Sequence, residues 1–139
     1  MTRVPSKIDE LSNAWVVTLA ELSPSFATYA GFSGGEDKLD DNSPAALAHF
    51  DKLERELLAK LEAMEPVDEI DQVSKDALAS SLKLSIELYE SGLWKRNLDV
   101  LASPAQGIRD IFDLSPVATE SDWQNLNKRM RAVEGAIDG

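Results

Sequence analysis

The chain has 139 residues, 43% of them hydrophobic, and 25 acidic against 14 basic side chains give a formal net charge of −11. A domain of this size buries roughly two-thirds of its unfolded surface, enough for a core of its own; the charge argues against a nucleic-acid backbone or an anionic membrane as partner, since both select clustered Lys and Arg. There is no cysteine, which excludes disulfides, thiolate catalysis and Cys-based zinc sites.

Lys7, Asp9 and Glu10 interrupt the N-terminal segment, so it has no apolar signal core. No run approaches the roughly 20 apolar residues of a membrane span. The expectation is a soluble cytoplasmic protein. A first helix is predicted from Lys7 to Leu22, because Ile8, Leu11, Trp15, Leu19 and Leu22 recur at spacings of three and four. Ser6 is its cap, reinforced by Asp9 at the third position. Pro24 ends or bends it. The following PSFATYAGF reads as one or two more helical turns, with Phe26 and Tyr29 turned inward and Gly31 as a left-handed C-cap.

Residues 31–42, GFSGGEDKLDDN, form a glycine-rich acidic loop. Its carboxylates lack the alternate spacing and terminal Glu of an EF-hand, so a solvated loop is the better reading. Ser43-Pro44 then starts a helix predicted to run to Met64. Its apolar stripe is Leu47, Phe50, Leu53, Leu57, Leu61 and Met64, with Glu54, Arg55 and Glu56 on the opposite face. His49, the only histidine, lies here. Alone it makes neither a common zinc site nor a triad, and a partly exposed structural role is expected.

Asp68 caps a third long helix, Glu69 to Ser91, closed by Gly92. Val73, Ala77, Leu84 and Leu88 lie near one face, and Leu78, Leu82, Ile86 and Tyr89 near another. A helix so broadly apolar is expected to pack on two sides, or against something outside the chain.

The segment Asn97–Leu114 carries the densest local signals. A short apolar stretch with Leu98, Val100 and Leu101 turns at Ser103-Pro104 into a helix bearing Ile108, Ile111 and Phe112. Ser103 suits the N-cap, Pro104 the first helical position, and Gln106 stands where a capping box would form. The last helix starts at Thr119, with Asp122 at its third position and a weak staple between Ala118 and Trp123. Its stripe is Trp123, Leu126, Met130 and Val133, continued by Ile137. Lys128, Arg129 and Arg131 are read as solvated charge that complements the helix dipole. No strand alternation or internal repeat is present. The fold class is all-α, one helical region of about five helices joined by short capped turns over 1–139.

Reaction chemistry is missing. GFSGG lacks the lysine and preceding strand of a phosphate loop, and neither HExxH nor GxSxG occurs. No catalytic, cofactor-binding or metal-ligating residue is assigned.

The segment NLDVLASPAQGIRDIFDLSP with the following TESDWQNLNKRM, and the earlier IDELSNAWVVTLAELSPSFATYAGF with DKLDDNSPAAL, resembles the N-terminal part of a bacterial family catalogued as domain of unknown function 885. The resemblance covers nearly all of the chain. Full members are several times longer and are similar to helical zinc metallopeptidases of the carboxypeptidase Taq type, whose HExxH-like helix lies beyond these residues. The resemblance thus implies an N-terminal helical region flanking the active cleft of a carboxypeptidase-like enzyme, with zinc held only by the remainder of the parent chain and a peptide as substrate. On that reading Gln106 and Arg109 are the cleft-facing polar residues. Arg109 could pair bidentately with a substrate carboxylate, or else with Asp110 or Asp113. The alternative is a self-contained helical interaction module. It would bind a partner helix through the broad apolar face of the third long helix, or pair with a copy of itself, whereas on the first reading the partner is the remainder of the parent chain.

Overall fold

The computed structural model describes residues 3–96, 100 and 103–138. Among them there is no strand. Seven α-helices and a 3₁₀ turn follow in order: α1 (Lys7–Leu22), α2 (Pro24–Ala30), α3 (Pro44–Glu62), α4 (Glu69–Glu90), the 3₁₀ turn (Leu93–Arg96), α5 (Pro104–Leu114), α6 (Glu120–Arg131) and α7 (Val133–Asp138). The all-α reading holds, with more helices than the five expected. Ser23 caps α2 as a separate helix with Pro24 in its first turn, and the last helix divides at Ala132. No helix among the described residues is long and apolar enough to cross a membrane. Of the apolar stretch before α5, Leu98 and Leu101 lie outside the described residues, and Val100 is exposed.

Local caps explain where most helices begin. Ser6 Oγ accepts the amides of Ile8 and Asp9, both at 3.1 Å, while the Ser6 amide donates to Asp9 Oδ2 at 2.8 Å. Asp68 accepts from the Asp71 amide, and Ser43 Oγ from Ala46 at 3.2 Å. Thr119 and Asp122 form a full capping box. Gly31 ends α2 at φ 76°, a left-handed conformation that favours glycine.

The chain divides into two compact units. The first comprises Met1–Val16 and Leu47–Arg96. Its core is Ile8, Trp15, Leu57, Leu61 and Leu82, and the Trp15 and Phe50 rings lie 5.8 Å apart. Arg3 bonds Asp9, Asp68 and Asp71, tying the start of α1 to the start of α4. Asp71 is fully buried, and it also accepts from the Ser6 hydroxyl and the Val67 amide. Lys75 ties α4 to the end of α3 by donating to the Met64 carbonyl at 2.5 Å. Exposed pairs Arg55–Glu90 and Lys83–Glu62 run between the same two helices. Glu54, expected on the solvent face of α3, is buried. Burial raises its carboxyl above the ordinary range, partly opposed by a hydrogen bond with Ser85.

Only one of the two apolar faces of α4 is packed. Leu82 is buried, and Leu78, Ile86 and Tyr89 are half-buried. Val73, Leu84 and Leu88 stay exposed at 68%, 57% and 46%, because α3 and the N-terminal segment cover the opposite side of the helix.

The second unit comprises Val17–Ala46 and Asn97–Gly139. Here α5 packs on α2 and α7, and α6 on α7. Ala27, Ile108, Ile111 and Ala136 are buried. Tyr29, expected inward, is exposed; α2 turns Pro24 and Ala27 to the core, while Phe26 stacks with Phe32 at 6.4 Å. On α6 the expected stripe is also turned: Trp123 and Met130 are exposed and Arg129 is fully buried. Ala118 and Trp123, the two residues of the expected staple, are both exposed, and so is Ile137 on α7.

Arg129 explains that rotation. Its guanidinium donates to the carbonyls of Lys38 (2.9 Å) and Gly35 (3.0 Å) and to the hydroxyls of Ser115 (2.8 Å) and Thr28 (3.2 Å). Four acceptors from three segments satisfy a buried cation whose contacts include no carboxylate. Desolvation lowers its pKa, while the nearby Glu36, Asp40 and Asp37 charges oppose that shift. The 31–42 loop is therefore a structured ligand of Arg129 through its carbonyls as well as an acidic surface.

Candidate functional site

Within the second unit a cavity of about 380 Å³ is lined by Ser25 and Tyr29 of α2, Asp40 and Asn42 of the loop, and Ser103, Pro104, Gln106, Gly107, Ile108 and Asp110 around the start of α5. Pro104 and Ile108 give it apolar wall, and the other side chains are polar. Its positioning comes from local chemistry. Asp40 accepts the Ser23 hydroxyl and the Ser25 amide, each at 2.8 Å, so one carboxylate fixes the start of α2 and one edge of the cavity together. Asn42 Nδ2 donates to the Ala136 carbonyl at 3.3 Å, holding that edge to α7. Next to it, the Asp41 carboxyl is held below its ordinary range by the Ser43 amide and hydroxyl.

The start of α5 departs from the expected capping box. Ser103 occupies the N-cap with extended backbone, but its hydroxyl makes no cap hydrogen bond. It is buried and bonds Gln106 Oε1 instead. The first-turn amides of Gln106 and Gly107 are taken by the Ser103 carbonyl, at 3.0 and 3.3 Å. The hydroxyl thereby positions the Gln106 amide at the cavity wall rather than a backbone amide.

The two sequence-predicted site residues are separated by this geometry. Gln106 lines the cavity. Arg109 is exposed on α5, and Asp110 is the charged α5 residue in the wall. Tyr29, Asp40, Asn42 and Asp110 carry no recognisable motif. Their shared location arises from the packing of α2 on α5, which periodicity does not report. The arrangement provides two carboxylates, two amides and hydroxyls around a small apolar floor. That suits hydrogen-bonded capture of a polar or amine-bearing group, and it contains no nucleophile paired with a base. His49 is exposed on α3 in the other unit. Among the described residues no group of three or more His, Asp or Glu side chains is disposed to hold a metal ion.

A second cavity of the same unit, about 390 Å³, lies along the glycine loop and is lined by Val17, Ala20, Glu21, Pro24, Phe32 and Lys38 among others. It has fewer polar groups converging on it. Compared with known protein families, residues 24–139 match the one described as "Bacterial protein of unknown function (DUF885)". No curated protein matches the chain.

Proposed function

The chain belongs to the bacterial family of unknown function DUF885, and from that membership we propose that it acts as the N-terminal helical region of a larger, carboxypeptidase-like zinc metallopeptidase, bordering the cleft. Zinc and the general base belong to the remainder of the parent chain, where the metal would activate water for attack on a peptide bond. The role of the present residues is to bind and orient. The observation that supports this is the α2–α5 cavity, with Gln106 held by Ser103 in a wall that also carries Tyr29, Asp40 and Asp110. Arg109, exposed on the same helix, remains available to a substrate carboxylate further out.

The test is twofold. The intact mass of the polypeptide from cells should be several times 15.2 kDa. In that parent, Gln106→Ala should raise KM for peptides by about tenfold with a smaller change in kcat, as expected for lost binding rather than lost chemistry. A parent of 15.2 kDa, or a variant indistinguishable from wild type, overturns the reading. A second reading, a helical interaction module, is favoured by the exposed apolar face of α4; partner capture through that face, with no peptidase activity in the parent, would decide for it.

A further inference from the structure

The 31–42 loop holds four carboxylates and a single cation, Lys38. Every carboxylate is engaged. Glu36 accepts the Gly34 amide at 2.8 Å, and Asp37 pairs with Lys128 at 3.4 Å. Asp40 accepts from Ser23 and Ser25, and Asp41 from the Ser43 amide at 2.9 Å. The Lys38 ammonium has no partner among the described residues. Its backbone, by contrast, is fixed. The Lys38 amide donates to the Gly35 carbonyl at 3.0 Å, and the buried Arg129 holds the Gly35 and Lys38 carbonyls. The lysine is anchored at its base and open at its tip.

Lys38 lines the cavity of about 390 Å³ along the glycine loop, and so does Glu21 of α1. Val17, Ala20 and Glu21 share one face of that helix, at spacings of three and four. Pro24 and Phe32 complete an apolar wall, in which Val17 and Phe32 are still 51% and 39% exposed. Glu21 is exposed, and among the described residues its carboxylate has no partner either. It stands in the last turn of α1, which carries no basic residue, so the negative end of the helix dipole adds to its potential. The loop side of the wall lies close. Gly35 has φ 83°, and a Cβ there would meet Pro24 Cβ at 3.4 Å. One small apolar wall is thus bordered by an unpaired cation and an unpaired carboxylate.

We propose that this cavity binds a free amino acid with an aliphatic side chain, its carboxylate on Lys38, its ammonium on Glu21 and its side chain against Val17 and Phe32. Charge selects that class. A simple anion would be drawn to Lys38 but repelled by the loop carboxylates and the net charge of −11. A simple cation would be drawn to Glu21 but repelled by Lys38. A zwitterion, neutral overall, meets both groups at once and breaks no existing bond to do so. Covering the exposed Val17 and Phe32 favours an aliphatic over a polar side chain. The volume is at the small end of the roughly 300–1,000 Å³ of ligand pockets, which suits one residue rather than a long peptide. Both charged groups are exposed, where ion pairs are weak, so the dissociation constant is on the order of 1 mM.

Titration of the 139-residue chain with L-leucine to about 10 mM, followed by amide chemical shifts in NMR, brackets that constant and tests the proposal. It uses neither zinc nor a peptide, so its failure leaves the cleft reading untouched. Saturable shifts are expected at Ala20, Glu21, Gly34 and Lys38. N-acetyl-L-leucine, which lacks the ammonium, and L-leucinamide, which lacks the carboxylate, should each bind about tenfold more weakly, and glycine about fivefold. Lys38→Met and Glu21→Gln change exposed side chains and should each weaken leucine by about tenfold, with the remaining spectrum unaltered. Absence of saturable shifts with leucine, N-acetyl-L-leucine or L-leucinamide binding as well as leucine, or both variants binding like wild type would overturn the proposal.

Discussion

Arg129 shows how much one side chain decides in the second unit. Its five N–H donors form a rigid fork that reaches two loop carbonyls and two hydroxyls at once. Removing it leaves buried acceptors without donors. Arg129→Ala is expected to cost about 3 kcal/mol in chemical denaturation, and Arg129→Lys most of that, because an ammonium cannot span the same acceptors. The first unit carries titrating groups of opposite sign. For Asp68 the leading cause is the hydrogen bond from Arg3, which lowers its pKa. For Asp71, burial raises the carboxyl, but bonds from Ser6, the Val67 amide and Arg3 outweigh it, so the net shift is downward. Depressed folded values contribute stability that is present above the ordinary 3.8 and lost as pH falls through them. Glu54 does the reverse: its raised carboxyl contributes stability fully present below 4.5 and lost as pH rises. Glu54→Gln should therefore raise the melting temperature at pH 7 and narrow the wild-type difference between pH 5 and pH 7, read by thermal denaturation across pH.

At the scale of helices, two starts that look alike in sequence behave differently. Thr119 caps α6 through a reciprocal box with Asp122. Ser103 faces Gln106 and caps nothing with its hydroxyl. Thr119→Ala should cost about 1 kcal/mol by loss of the cap. Ser103→Ala loses no cap bond and should cost about half as much in stability. Its main effect should fall on cavity binding, because Gln106 loses its bond from the Ser103 hydroxyl. Equal stability losses in parallel urea titrations would show that both residues act as caps. The faces of α4 and α6 also diverge from their patterns. Period 3.6 identifies which residues share a side, but α4 has apolar residues on two sides, and α6 places a satisfied arginine where its stripe would have gone.

For the molecule as a whole, a charge of −11 and the lack of a ligand cluster among the described residues bear on metal binding in opposite ways. Scattered carboxylates attract divalent cations weakly, whereas a built zinc site gives saturable stabilisation that grows with ligand concentration. Titrating zinc into this chain should leave its melting temperature unchanged within error. A saturable rise would place a site in these residues and move the proposed division of labour between them and the parent's remainder.

What the sequence by itself determined was largely local. Helix starts at Lys7, Pro44, Glu69, Pro104 and Glu120 agree with the observed elements, since caps, first-turn prolines and a left-handed glycine act within about four residues of the chain. The family was also legible, because its motifs run through most of the length. Of the two residues that the family resemblance offered as cleft-facing, Gln106 lines this cavity and Arg109 does not. Tertiary structure alone decided which faces turn inward, why Glu54 and Arg129 are buried while Tyr29 and Trp123 are exposed, and that Asp40, Asn42 and Tyr29 meet Gln106. The physical reason is that burial depends on partners distant in sequence. A stripe records the residues able to pack, while the hydrogen bonds available across the fold select those that do.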